Sequence, residues 1–228
     1  GANIVIQSLT KYINGNGTAL GGIIIDAGTF NYGNGLFPEF TEPSPSYHGL
    51  NYHEALGPAA FIAKARIEGL RDLGSAPSPF NCFQTIQGLE TLSVRIKKHS
   101  ENALKIAEWL ESQKDVAWVN YPGLESSKYY ELSKKYLKGG QSGIVTFGLK
   151  KGFEGGKKLT DSTKIFSLLA NFGDSKSLII HPASTTHSQL SEEDQERTGV
   201  TSDLIRLSIG LEDPEDLIND LAESMKRI

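Results

Sequence analysis

Near its start, the chain has a short apolar run that leads into a lysine. Residues 3–8 contain the unbroken sequence Ile4-Val5-Ile6, which predicts a strand covered on both faces, as in a parallel sheet. Lys11 follows this strand, at the position where open α/β sheets bind ligands, and Ser8 and Thr10 place two hydroxyls beside it. A lysine amine becomes a nucleophile when burial or a nearby positive charge keeps it neutral. The stretch therefore makes Lys11 a candidate for covalent chemistry.

The glycine-rich segment after Lys11 allows two interpretations. Gly15, Gly17, Gly21 and Gly22 would let backbone amides approach an anion closely. The pairs Asn14-Gly15 and Asn16-Gly17 are equally typical of tight turns, and an isolated lysine after a strand is most often a solvated surface residue. Neither a Walker phosphate loop nor a complete dinucleotide fingerprint is present. From these residues alone, both a ligand site and a plain surface turn stay open.

A second unusual feature is an arginine inside an apolar strand near the other end of the chain. Residues 204–211 predict a strand, and Arg206 interrupts it. A buried guanidinium is costly unless it meets an anion, and it binds a carboxylate in a bidentate fashion better than lysine does. An ion pair with a local acid, or an edge position facing water, would explain Arg206 equally well.

Both segments resemble the Cys/Met-metabolism pyridoxal-phosphate enzymes, a family that includes cystathionine γ-synthases, cystathionine lyases, methionine γ-lyases and O-acetylhomoserine sulfhydrylases. The likeness rests on Ser-Leu-Thr-Lys at residues 8–11, on Pro-Ala-Ser-Thr-Thr-His-Ser at residues 182–188, and on Arg-Leu-Ser-Ile-Gly-Leu-Glu at residues 206–212. Gln7 stands where many members have histidine, and residues 14–16 replace a common Gly-Gly-His.

The resemblance implies a role for each of five residues. Lys11 would bond covalently to pyridoxal 5′-phosphate, and Ser8 and Thr10 would help to hold the cofactor phosphate. Arg206 would bind the α-carboxylate of an amino-acid substrate, with help from Ser184. The implied fold is the α/β fold type I of pyridoxal-phosphate-dependent transferases. This chain would form the C-terminal portion of the large cofactor domain (residues 1–100) and a small α/β C-terminal domain (residues 101–228).

A long connection distinguishes members of this family from one another. Residues 27–56 are rich in glycine, proline and aromatic side chains, and their end, Tyr47–Tyr52, is typical of O-acetylhomoserine sulfhydrylases. The resemblance therefore implies a γ-replacement that converts O-acetylhomoserine and sulfide into homocysteine and acetate. Three alternatives stay open: a cystathionine γ-synthase, γ-lyase or methionine γ-lyase; a non-catalytic half that needs a partner polypeptide; and, with the least support, a generic phosphate-binding module.

Composition excludes several other classes of protein. A net charge of −4 gives no electrostatic reason to bind nucleic acid or an anionic membrane. The single cysteine, Cys82, excludes an internal disulfide and fits a reducing cytoplasm. The five histidines show no metal-ligand spacing. The resemblance also implies a preceding N-terminal half and a homotetramer in which subunits share sites.

Hydrophobic periodicity predicts alternating strands and helices, with no internal repeat. Beyond the strands already named, the predicted strands are residues 21–26, 116–121, 143–149 and 177–180. The predicted helices are residues 58–73, 83–111 with a bend, 128–137, 160–172, and two that begin after Ser191 and Asp213. Residues 150–158 are expected to form a polar surface loop.

Overall fold

The computed structural model describes residues 1–228 and divides them into two units, each built from two separate stretches of chain. The first unit contains Gly1–Thr10 and Ala19–Thr85, and the second contains Lys11–Thr18 and Ile86–Ile228. Lys11 thus belongs with the C-terminal residues, although the segments on both sides of residues 11–18 belong to the first unit. The predicted domain boundary near residue 100 stays a prediction.

A two-stranded sheet opens the first unit. Strand β1 (Ile4–Ser8) pairs with β2 (Gly22–Asp26) in antiparallel register, with Ile6 opposite Ile24. Both strands were predicted, but the expected burial in a parallel sheet was wrong, because Ile6 is 72% exposed. An unbroken apolar run identifies a strand without specifying the direction of its partner, and β2, the next strand along the chain, is equally apolar.

The rest of the first unit is helical and packs around aromatic rings. Its helices are α1 (Pro38–Thr41), α2 (Tyr52–Leu56) and α3 (Ala60–Lys64), and α3 continues into wider turns over Ala65–Asp72. Buried Tyr32 stacks on Phe40 with ring centroids 4.2 Å apart, and Phe61 lies parallel to Tyr32 at 6.3 Å. The long connection at residues 27–56 is therefore held by its own aromatic side chains together with one from α3.

Two consecutive helices follow. Helix α4 spans Pro79–Glu90 and α5 spans Leu92–Glu111. They confirm the predicted helical region with a bend, which falls at Thr91. Helix α5 buries Ala103, Ile106, Ala107 and Leu110, and this stripe at helical spacing forms one side of the main core.

The core of the second unit lies against a five-stranded mixed sheet. Its strands in spatial order are β3 (Val116–Asn120), β4 (Ile144–Leu149), β7 (Leu204–Ser208), β6 (Leu178–Ile180) and β5 (Ser167–Leu168). All neighbours are antiparallel except β5 and β6, which are parallel. Strand β7 lies at the centre, and its Ile205 and Leu207 are fully buried. The predicted strands of this unit are confirmed.

Residues 150–158, predicted to be a polar loop, instead begin helix α7 (Gly152–Ser162). The helix buries Leu159 and Thr160, and its two adjacent glycines lie on the packed side. A Cβ atom added at Gly156 would lie 2.6 Å from the His181 ring. The glycines that indicated a loop in the sequence therefore permit close helix packing, and this use of glycine cannot be distinguished locally from a turn.

The predicted helix at residues 160–172 is also wrong beyond Ser162. The buried carboxylate of Asp220 accepts hydrogen bonds from the backbone amides of Lys164, Ile165 and Phe166 at 2.8–3.2 Å. These bonds satisfy amides that would otherwise continue the helix, and the chain then extends into β5. Asp220 is more than fifty residues away in the sequence, so the local pattern could not reveal this competitor.

Three further helices agree with the sequence prediction. They are α6 (Tyr130–Tyr136), α8 (Glu192–Arg197) and α9 (Pro214–Met225). Ser191 accepts from the amide of Asp194, and Asp213 accepts from the amide of Glu215, so both predicted caps are present. The structure contains no helix with the length and apolar character needed to cross a membrane.

Candidate active site

The backbone around Lys11 is held by a buried arginine, Arg95. Buried Arg95 donates to the carbonyl oxygens of Tyr12 at 2.8 Å and of Ile13 at 3.3 Å, and to that of Gly88 at 2.6 Å. Gly88 lets α4 approach this turn, because a Cβ there would lie 2.3 Å from the Asn14 carbonyl oxygen. Burial lowers the pKa of Arg95 from its ordinary value, but a guanidinium remains charged near neutral pH. Arg95 therefore fixes the turn that presents Lys11.

The amine of Lys11 has neutral partners only. Its Nζ donates to Oδ1 of Asn171 at 2.5 Å and lies 4.8 Å from the centre of the Phe172 ring. No carboxylate forms an ion pair with it. An amine with neutral partners can lose its proton without leaving an unpaired carboxylate behind, which suits a lysine that must react with a carbonyl carbon.

Three consecutive residues form a short wall beside Lys11. Asn171 and Phe172 contact its amine, and the amide of Gly173 donates to the hydroxyl of Ser208 on β7 at 3.1 Å. Gly173 has φ +74°, and a Cβ there would lie 2.7 Å from the backbone nitrogen of Tyr12. Only glycine fits this backbone conformation and this close approach without strain.

Arg206 projects from the central strand of the second unit and has no acidic partner. It lies between Thr146 of β4 and Ile180 of β6 in the ladder. Both alternative explanations from the sequence are therefore wrong, because β7 is not an edge strand and no ion pair is formed. The half-buried guanidinium donates from Nη2 to the carbonyl oxygen of Asn171 at 3.3 Å. Burial lowers its pKa from the ordinary value, yet it stays cationic and has donors left for a ligand carboxylate.

Lys11 and Arg206 thus meet at one residue. Asn171 accepts from the lysine through its side chain and from the arginine through its main chain. Residues 206 and 208 share one face of β7, since side chains alternate along a strand. Through Arg206 and Ser208, that face holds the wall formed by residues 171–173.

Tyr12 and His99 pack beneath the lysine turn. The Tyr12 hydroxyl accepts from the amide of Gly143 at 3.0 Å, and its ring meets the His99 ring edge-on at 5.3 Å. Burial raises the pKa of Tyr12 and lowers the pKa of His99. His99 Nδ1 donates to the carbonyl oxygen of Ile209 at 2.6 Å. These groups serve as a neutral polar support for the turn.

The other three predicted site residues lie in different surroundings. Thr10, in the first unit, accepts from the Gly21 amide at 3.1 Å, whereas the hydroxyl of Ser8 is exposed and has no protein partner. Ser184 lies beside a cavity of about 480 Å³ that is also lined by Lys157 and Gln195. Its hydroxyl is bonded to Nδ1 of His181 at 2.8 Å. No hydrogen bond joins Ser184 to Arg206 or Lys11.

The available residues fit pyridoxal phosphate. Lys11 has an amine with only neutral partners, as a lysine that bonds to the cofactor carbonyl carbon requires. Asn171 and Arg95 were not predicted from the sequence. The one available signal for Asn171 was its position directly after the apolar run Leu168–Ala170 and before Phe172-Gly173. This stretch was predicted to be helical.

Comparisons with known proteins find relatives of one kind. The model of the Cys/Met metabolism PLP-dependent enzymes matches residues 1–226. An O-acetyl-L-homoserine sulfhydrylase from Leptospira meyeri is 54% identical across 100% of this chain and 54% of its own length. O-acetyl-L-homoserine sulfhydrylase 1 from Thermus thermophilus is 49% identical across 99% of this chain and 53% of its own length.

A solved structure supports the fold. A crystal structure described as an O-acetylhomoserine (thiol)-lyase from Campylobacter jejuni, containing N′-pyridoxyl-lysine-5′-monophosphate, matches with a TM-score of 0.93 and 48% identity. The match covers 99% of this chain and 54% of that one, so the chain spans about half the length of the relatives it matches. The predicted fold type I is confirmed. Because this family's model matches nearly the whole chain, the chain belongs to the Cys/Met metabolism PLP-dependent enzyme family.

Proposed function

We propose that this chain is part of an enzyme that catalyses γ-replacement on O-acetylhomoserine. Sulfide adds at the γ carbon, acetate leaves, and the product is homocysteine. The names of the similar proteins from Leptospira and Thermus support this choice over other members of the family. The long connection at residues 27–56, typical of sulfhydrylases, supports it as well.

The observation that carries the proposal is the meeting of a lysine amine and an arginine guanidinium on Asn171, with no acid paired to either. An amino-acid substrate requires one group that reacts near its α carbon and another that binds its carboxylate. Lys11 and Arg206 supply this pair of functions.

Lys11 would hold pyridoxal phosphate covalently, and Ser8 and Thr10 would bind its phosphate through their hydroxyls. When bound, the cofactor supplies an electron sink that makes the α proton of an amino acid acidic. The Lys11 amine would then accept and return protons at the α and β carbons as a general base and acid.

Arg206 would bind the α-carboxylate and so orient the substrate. A planar guanidinium binds a carboxylate through two parallel hydrogen bonds, which fix direction as well as distance. This orientation would hold the reacting bonds at a constant angle and so lower the entropic cost of reaching the transition state. Ser184, on the segment that follows β6, would help Arg206 to bind the carboxylate, but more weakly.

The assembly and location of the protein are part of the same proposal. We expect a homotetramer in which the remaining half of the enzyme length completes each site. A cytoplasmic location fits the free, exposed thiol of Cys82.

Replacing Lys11 tests the proposal directly. In the full-length protein, Lys11→Ala should abolish homocysteine formation from O-acetylhomoserine and sulfide, because no other amine could bond to the cofactor there. Borohydride reduction should fix the cofactor to Lys11 of the wild-type protein. Peptide mass spectrometry should then find the cofactor on the Lys11 peptide. Lys138→Ala, at an exposed lysine that forms no ion pair, is the matched control. A cofactor fixed to a different lysine, or a fully active Lys11→Ala protein, would contradict the assignment.

A further inference from the structure

We infer that Asn171 is a positioning residue for the reacting lysine, holding the Lys11 amine at a fixed place relative to Arg206. The inference rests on the proposed function insofar as Lys11 is the reacting lysine. Its geometric basis is the bond of 2.5 Å from Lys11 Nζ to Asn171 Oδ1. This bond is the only hydrogen bond that the amine makes in the structure.

The backbone of Asn171 is itself fixed on both sides. Its amide donates to the carbonyl oxygen of Leu169 at 3.1 Å, and its carbonyl oxygen accepts from Arg206 at 3.3 Å. Two residues later, the amide of Gly173 is bound to Ser208. The carboxamide therefore extends from a restrained backbone, which is the requirement for a side chain that positions another group.

A carboxamide suits a lysine whose charge must change. Its oxygen accepts an N–H from either the ammonium or the neutral amine, so Lys11 can lose a proton and stay in place. A carboxylate at the same position would favour the ammonium strongly, and an apolar side chain would give the amine no hydrogen-bond partner. Asn171 thus supplies an acceptor without supplying a charge.

The same residue also fixes a distance. Because one oxygen of Asn171 binds Lys11 and the other binds Arg206, the amine and the guanidinium are separated by the dimensions of a single residue. A substrate bound through its carboxylate would then meet the lysine at a constant separation.

The experiment measures the reactivity of Lys11 without turnover. The full-length protein is freed of cofactor and acetylated with trace acetic anhydride across a range of pH. Acetylation of the Lys11 peptide is then quantified by mass spectrometry relative to that of Lys138. Asn171→Asp should move the Lys11 profile to higher pH and reduce labelling at about pH 8 roughly tenfold, because a carboxylate stabilises the ammonium. Asn171→Leu should move the profile in the opposite direction, because the ammonium loses its acceptor.

Opposite displacements by two variants at one position would not arise from a general loosening of the fold. Asn219→Asp, at an exposed position on α9, should leave the profile unchanged. Asn171→Asp is nearly isosteric with the wild type, so it keeps the test informative if Asn171→Leu does not fold. Profiles that coincide with the wild type in folded variants would overturn the inference. Failure of the sulfhydrylase proposal would appear separately, in the borohydride and activity assays.

Discussion

The most informative single residue is Arg206, because the sheet leaves it without the partner that a half-buried guanidinium normally needs. Its side chain forms one hydrogen bond, to a neutral carbonyl oxygen. A cation that is partly desolvated and unpaired is costly to fold, and a ligand carboxylate would recover that cost. Because an unpaired Arg206 destabilises the folded protein, we interpret it as a residue that serves binding rather than stability.

Replacement of Arg206 should affect the substrate much more than the cofactor. In the full-length enzyme, Arg206→Ala should raise KM for O-acetylhomoserine about 30-fold or more, since a charged hydrogen-bonded contact contributes about 2–3 kcal/mol. Cofactor content, measured from absorbance, should remain that of the wild type. Arg206→Lys should restore only part of the affinity, because an ammonium lacks the planar pair of donors.

Arg227→Ala provides the matched control for this measurement, because Arg227 is exposed and forms no ion pair. Loss of cofactor together with retained substrate affinity in Arg206→Ala would show that the arginine binds the cofactor instead.

Among the elements, the segment between α7 and β6 shows how distant residues override a local pattern. Ile165, Leu168 and Leu169 have helical spacing in the sequence, yet each is at least 39% exposed. The three amides bound by Asp220 end the helix before these residues. Hydrophobic periodicity cannot predict where a helix ends when a side chain from another helix sets that end.

Removal of the Asp220 carboxylate should therefore destabilise this segment. Asp220→Ala leaves three amides without an acceptor, and we expect the free energy of unfolding to fall by about 2–4 kcal/mol, given about 1–3 kcal/mol for each buried group left unsatisfied and partial access of water. Chemical denaturation of the full-length protein, with Asn219→Ala on the same helix as control, measures the change. Equal stability of the two variants would mean that water replaces the carboxylate without loss.

Strands and caps could be predicted because their signals are local. The apolar runs at β4 and β7 and the acidic starts of α8 and α9 each lie within a few residues of the structure that they specify. Lys11 and Arg206 were found because of their motifs. Asn171 and Arg95 were missed because their roles depend on contacts with residues 35 and 83 positions away, respectively. Tertiary contacts of that kind leave no periodic trace in the sequence.

For the whole molecule, His99 predicts a dependence of stability on pH. It is fully buried, and burial lowers its pKa from the ordinary 6.5. Just below pH 6.5, His99 takes up a proton in the unfolded chain but stays neutral in the folded protein. The contribution of neutral His99 to stability is therefore complete above pH 6.5 and falls as the pH drops towards the lowered pKa. The loss approaches about 1.4 kcal/mol per pH unit in that window.

Thermal unfolding of the full-length protein between pH 7 and pH 5 measures this effect. His99→Gln should flatten the dependence relative to the wild type, whereas His48→Gln, at an exposed histidine, should leave it unchanged. Parallel curves for the wild type and His99→Gln would indicate that other groups dominate acid unfolding.

The division of the chain has a consequence for recombination among relatives. The second unit takes Lys11–Thr18 from one part of the chain and Ile86–Ile228 from another. A crossover at residue 86 would transplant Arg95 and Asn171 while leaving behind the octapeptide, residues 11–18, that they hold. A functional chimera must therefore inherit both stretches from the same parent or from parents in which these contacts are interchangeable. The octapeptide and the C-terminal residues form a single unit of inheritance, although more than sixty residues separate them.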